Sequence, residues 1–111
     1  MLAERFVSKQ LSNEQLVEVL RQQVRKEREL LASIIELIRE ISVRRVYLDL
    51  GFTSMFDFLV KHMGYSEGAA QRRLDAARLL TQVPELRRDL QEGVINLSQV
   101  AVFSQGVRQA E

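Results

Sequence analysis

Apolar residues recur along this chain at spacings of three and four rather than two, as far as about Phe103, and that period predicts helices and no strands. The stretch Thr53 to Met63 reads as one helix. Ser54 opens it, with Asp57 three residues on, the reciprocal arrangement that satisfies orphan backbone donors. Gly64 ends it by supplying a left-handed residue. Ser66 then caps a second helix, Glu67 stands at its positive end, and Pro84 limits its length. Two helices joined by about three residues around a glycine have the spacing of a helix-turn-helix. In the second helix, taken as residues 67–82, Ala70, Leu74, Ala77 and Thr81 are expected to face inward. Small residues at Ala69, Ala70, Ala76 and Ala77 let its neighbours approach closely. Glu67, Gln71, Arg72, Asp75 and Arg78 fall on the opposite side.

Upstream, Ser12 is placed to cap a helix whose stripe begins at Leu16, Val19, Leu20 and Val24. The charged run RKERE at residues 25–29 interrupts that stripe before Leu30, Leu31, Ile34, Ile35, Leu37, Ile38 and Ile41 resume it. No Gly or Pro lies between Ser12 and Gly51, and thirty residues of helix span about 45 Å, more than so small a domain can cover. Three outcomes stay open: a break near residues 25–29, a break near 42–46, or packing of the N-terminal half against another chain. Arg44, Arg45, Tyr47 and Leu48 are expected on a helical turn leading to Gly51. Downstream, PELRRDLQEG places Pro84 in a permitted first turn, Leu86 and Leu90 on one face and Gly93 at the stop. Asn96 or Ser98 caps a further helix with Leu97, Val100, Ala101 and Phe103 inward, and the tail from Ser104 loses the pattern. The expected fold is all-α. It is one small multi-helix domain over residues 1–111, with an N-terminal helical segment at 12–50 and a helix-turn-helix core at 53–103.

The chemistry on the free face of helix 67–82 suggests duplex DNA. Glutamine pairs bidentately with adenine and arginine with guanine, and the reading residues of such motifs lie near the helix N-terminus. Gln71 and Arg72 are the expected base contacts, Arg73 and Arg78 the expected phosphate contacts, with Ser66 and Glu67 at the N-terminal edge. The alternative is a solvated face with ordinary ion pairs such as Asp75 with Arg78 or Arg72. Arg87 and Arg88 are placed to flank the reading helix or simply to be solvated.

Charge adds a qualification. The chain's net charge is +1, but residues 1–40 carry seven basic and seven acidic groups while residues 41–80 carry six and four. The middle is the basic part, and its small excess implies modest affinity per copy, because each neutralised phosphate contributes through counterion release. There are no cysteines, so no disulfide or thiolate metal site. The start MLAERFVSKQL lacks the apolar core of a signal peptide, and no run approaches the length that crosses a bilayer. A cytoplasmic, nucleoid-associated protein is expected. His62 is the single histidine and has no ligand partners in sequence, so it is expected to be structural or exposed. Gly64 and Gly68 lack the preceding strand of a nucleotide fingerprint. No enzyme activity, cofactor, metal or small-molecule substrate is expected.

The run YLDLGFTSMFDFLVKHMGYSEGAAQRRLDAARLL, from Tyr47 to Leu80, followed by VPELRRDLQEGVINLSQVAVF, resembles the helical N-terminal region of many bacterial proteins that end in an HNH endonuclease domain. The resemblance covers roughly residues 12–103, and GYSEGAAQRRLDAARLL is its most specific part. It implies a DNA-associated module. It does not imply cleavage, because the histidine base and metal ligands of an HNH site belong to a separate ββα element that this sequence lacks. Residues 66–100 also resemble, more weakly, the helix-turn-helix of ParB-type partition proteins. Gln99 and Val100 stand where those proteins usually carry histidine and alanine, so that parallel bears on architecture alone.

Two function classes follow. One is a DNA-binding protein, a regulator or nucleoid-type binder. The other is a protein-interaction or dimerisation module, or the targeting part of an HNH nuclease system, whose helix-turn-helix shape is scaffold. A homodimer through the N-terminal segment is expected, since Leu11, Leu16, Val19, Leu20 and Val24 offer more apolar surface than a short helical core covers, and pairing raises affinity and half-site specificity.

Overall fold

The computed structural model describes residues 8–100 and residue 102, all in helices and turns with no strand among them. The first full element, α1, runs unbroken from Asn13 to Arg44, 32 residues or about 48 Å at 1.5 Å per residue. Ser12 caps it as expected. The Ser12 hydroxyl accepts from the Gln15 backbone N–H, and the Gln15 side chain accepts from the Ser12 N–H at 2.8 Å. The RKERE run does not break it. Arg, Lys and Glu are good helix formers, so a gap in the apolar stripe is not a gap in the backbone. The break falls at Arg45 instead, in the left-handed conformation at φ +56°, its N–H returning to the Ile41 and Ser42 carbonyls.

A single turn, α2 (Val46–Asp49), follows and stops at Gly51, whose φ is +89°. Helix α3 starts at Met55 rather than Thr53, and after Asp57 it passes directly into a π-helical turn over Phe58–His62. In that turn the Met63 N–H reaches back five residues to the Phe58 carbonyl. The widened turn accompanies the burial of Phe58 and Leu59 together, adjacent residues that would diverge by about 100° on a regular helix.

Helix α4 (Glu67–Gln82) and helix α5 (Leu86–Glu92) both pack against α1. Pro84 precedes α5 in the turn rather than standing inside it, and Gly93 closes α5 at φ +80°. Asn96 is the cap of the next helical residues, 97–100: it exchanges two hydrogen bonds with Gln99, each 2.9 Å. Ala101, Phe103 and the tail from Ser104 lie outside the described residues.

The core is a single cluster built on Ile35 and Ile38 of α1, Met55, Phe58 and Leu59, the α4 residues Ala70, Leu74, Ala76, Ala77, Leu79 and Leu80, Leu90 and Val100. The alanines Ala70, Ala76 and Ala77 are buried, as close approach between helices requires. Two expectations for α4 fail. Thr81 is exposed, with its hydroxyl donating to the Ala77 carbonyl at 2.9 Å, and Asp75 is buried rather than on the free face. The reason is that α4 contacts both α1 and the α3 turn, so burial runs round most of its second half instead of along one stripe. By contrast, from Asn13 to Leu30 no residue of α1 is buried.

Candidate nucleic-acid interface

The site begins with the turn that launches α4. Ser54 accepts from the Asp57 N–H at 3.0 Å, but the Asp57 carboxylate turns to the Thr53 hydroxyl at 3.2 Å and to Lys61 at 3.5 Å, so the expected reciprocal box is not closed. At the far end Gly64 has φ +81°, which only glycine adopts without strain. The Tyr65 N–H then reaches the Leu59 carbonyl at 3.1 Å, which fastens the turn to the preceding helix. Ser66 follows in extended conformation and its hydroxyl accepts from the Ala69 N–H at 3.2 Å. Glu67 stands in the first turn, exposed.

Next come the side chains that α4 presents. Gln71 and Arg72 are neighbours on the first two turns and both are exposed. The Gln71 Nε2 donates to Asp75 Oδ1 at 3.0 Å, which fixes the amide while leaving its carbonyl oxygen and second N–H available. Arg72 has no ion pair or hydrogen bond among the described residues. A Cβ built on Gly68 would lie 3.2 Å from Arg72 Nη1, so this side chain runs back along the helix toward its N-terminus. Arg78 is 61% exposed and stands 3.7 Å from Asp75, a loose pair.

Arg73 is placed differently from the phosphate-facing position expected of it. Its guanidinium lies 4.5 Å from the Tyr65 ring centre, Nη1 donates to the Ala69 carbonyl at 3.0 Å, and its Nε is buried without a partner. It holds the turn against the helix through cation–π attraction. Arg87 is likewise committed, to Glu36 at 2.8 Å, and Arg88 lies 3.6 Å from Glu92.

A basic residue that the sequence reading did not single out joins this surface. Arg39 lines a narrow groove between α1 and α4, together with Arg78, Ser42 and Val43, and has no ion pair among the described residues. Its signal in the sequence is weak, a charge one position beyond core Ile38. His62 stacks on Phe58 with centres 5.5 Å apart and contacts Phe52 at the same distance; its role is structural packing at the surface. Among the described residues no group of three or more His, Cys, Asp or Glu is placed to hold a metal, and no helix is long and apolar enough to cross a membrane. Ser66, Glu67, Gln71 and Arg72 thus gather at one end of α4, Arg78 and Arg39 lie further along beside α1, and Arg73 is drawn inward. Set against known proteins, the chain matches no protein-family model, no curated protein and no solved structure.

Proposed function

We propose that this protein binds duplex DNA through the N-terminal half of α4, as a regulator or nucleoid-type binder, and that it does so as a homodimer paired through the N-terminal half of α1. The observation that carries the DNA reading is the pair Gln71 and Arg72, exposed side by side just after a glycine turn, with no ion pair or hydrogen bond to the Arg72 guanidinium among the described residues. An amide and a guanidinium are suited to adenine and guanine edges in the major groove. Arg78 and Arg39 supply phosphate contacts further along, which position the helix without reading sequence. Arg73 orders the turn.

The test is a titration with random and selected duplexes at two salt concentrations. Binding is expected to weaken steeply as salt rises. Gln71→Ala with Arg72→Ala is expected to abolish sequence preference with the fold intact. Arg39→Ala with Arg78→Ala is expected to weaken all duplexes alike and flatten the salt slope. No mobility shift on any duplex at low salt would overturn the reading.

A second reading, a protein-interaction module without DNA binding, is favoured by one observation. Val17 and Leu20, neighbours on one face of α1, are exposed at 55% and 63%, and exposed apolar surface marks docking faces. A module of that kind gives no shift with any duplex at either salt concentration, so the same titration separates the two.

A further inference from the structure

We infer that the groove between the N-terminal half of α1 and the end of α5 receives the first turns of α1 from a second copy of this chain, the two helices antiparallel and crossing near Leu20. This deepens the pairing part of the proposed function and does not depend on DNA reading.

The groove is a continuation of the core. Val17, Val24, Leu31 and Ile38 follow one another at intervals of seven, and Leu20 stands beside them, so a single face of α1 runs from the buried cluster out past the last residue that α5 covers. Beyond that point none of the described residues covers the face. Val17, Leu20 and Val24 floor an open groove of about 910 Å³ whose far wall is Arg88, Gln91 and Glu92 of α5. Its charged rim is mostly basic. Arg25 and Arg28 have no ion pair or hydrogen bond among the described residues, whereas Arg21 is held by Glu18 at 2.7 Å. The carboxylates on the rim are Glu29 and Glu92.

An occupant must therefore bring apolar residues at helical spacing flanked by acids. The chain itself contains that segment. Residues 12–20, SNEQLVEVL, carry Leu16, Val17, Val19 and Leu20 with Glu14 and Glu18 and no basic residue. Residues 21–28 carry Arg21, Arg25, Lys26 and Arg28 against Glu27 alone. An antiparallel crossing at Leu20 sets Glu14 between Arg25 and Arg28 of the twin, both on the groove rim, and places Glu18 between Arg21 and Arg25, and a two-fold axis repeats every contact. A parallel pairing would set Glu14 against Glu14 and Arg25 against Arg25. Charge thus selects both the partner and the direction.

Because the chain has no cysteine, single cysteines report the geometry cleanly in the full chain without DNA. The parent is expected to sediment at twice 12.8 kDa at tens of micromolar. Leu20→Cys is expected to cross-link to itself on oxidation, and Glu14→Cys only when mixed with Arg25→Cys. Glu14→Lys with Glu18→Lys is expected to yield a monomer of unchanged helicity. Adding Arg25→Glu with Arg28→Glu protein should restore pairing. A parent that sediments as a monomer at 100 micromolar would overturn the inference, as would Glu14→Cys cross-linking to itself, or charge reversal that leaves the dimer intact. DNA titration of Gln71→Ala with Arg72→Ala reads the other half of the proposal, so either can fail alone.

Discussion

Arg45 is the only non-glycine residue of positive φ among those described, and the left-handed conformation costs a residue with a Cβ about 1–2 kcal/mol. Arg45→Gly is therefore expected to raise stability by about 1 kcal/mol, seen as a higher urea midpoint at unchanged slope. A lower midpoint would mean that the arginine side chain contributes more than the strain removes. Gly64 and Gly93 have nearly the same φ but different surroundings. Nothing lies within 4 Å of a Cβ at Gly64, while one at Gly93 would meet the Arg28 guanidinium carbon at 2.5 Å. Gly64→Ala should cost about 1 kcal/mol through conformation alone, and Gly93→Ala more. Arg28→Ala should recover part of the second loss and none of the first, a coupling that a double-mutant cycle reads directly. Gly68→Ala separates binding from folding in the opposite sense. Alanine favours the helix by about 1 kcal/mol, yet its methyl displaces Arg72, so a rise in melting temperature together with altered DNA affinity is the expected result.

Between helices, the contrast to test is that of two serine caps. Ser66 opens α4, whose second half is core, so Ser66→Ala should lower global stability by about 1 kcal/mol. Ser12 opens a stretch of α1 that buries nothing until Ala32. Ser12→Ala should fray residues near 13–20, as faster amide exchange there, without moving the melting temperature of the monomer. Equal effects at both serines would mean that the first half of α1 is coupled to the core. Such caps, and Gly64 and Gly93, were legible in the sequence because each acts on its own few residues. Asp75 and Thr81 were not, since periodicity assigns a helix one inward face and α4 is enclosed by two neighbours. Arg73 escaped for a related reason. Its choice of Tyr65 over solvent depends on how the turn folds back, which spacing along the chain does not encode. The π-helical turn at Phe58–His62 has no sequence signal that we recognise. Of the candidate site, Gln71 and Arg72 stand exposed as their positions implied, and Arg39 entered only through the packing of α1 on α4.

Across the whole molecule the longest extent is 51 Å, set by α1. Ile38 lines the groove with Leu74 and Ala77, so α4 lies level with that part of α1, and Leu20 to Ile38 is about 27 Å of helix. In the proposed antiparallel dimer the two α4 helices are then about 54 Å apart along the axis, beyond the roughly 34 Å between successive turns of one duplex face. That separation suits holding two duplex segments better than reading a compact palindrome. Duplex fixed to beads should capture a second, labelled duplex through the protein, and Leu20→Glu should abolish capture while leaving single-duplex binding in place. Capture that survives Leu20→Glu would place the bridging elsewhere. The unbroken backbone from Asn13 to Arg44 has a mechanical meaning as well. With no joint between the pairing end and the end that carries α4, α1 is a ruler, and its graduations carry an angle as well as a length. Seven residues inserted between Val24 and Leu30 would lengthen it by about 10 Å and turn it by only about 20°, whereas two inserted residues would swing one end by about 200°. Spacing and phase in such a molecule are set by counting residues, and each can be changed almost without the other.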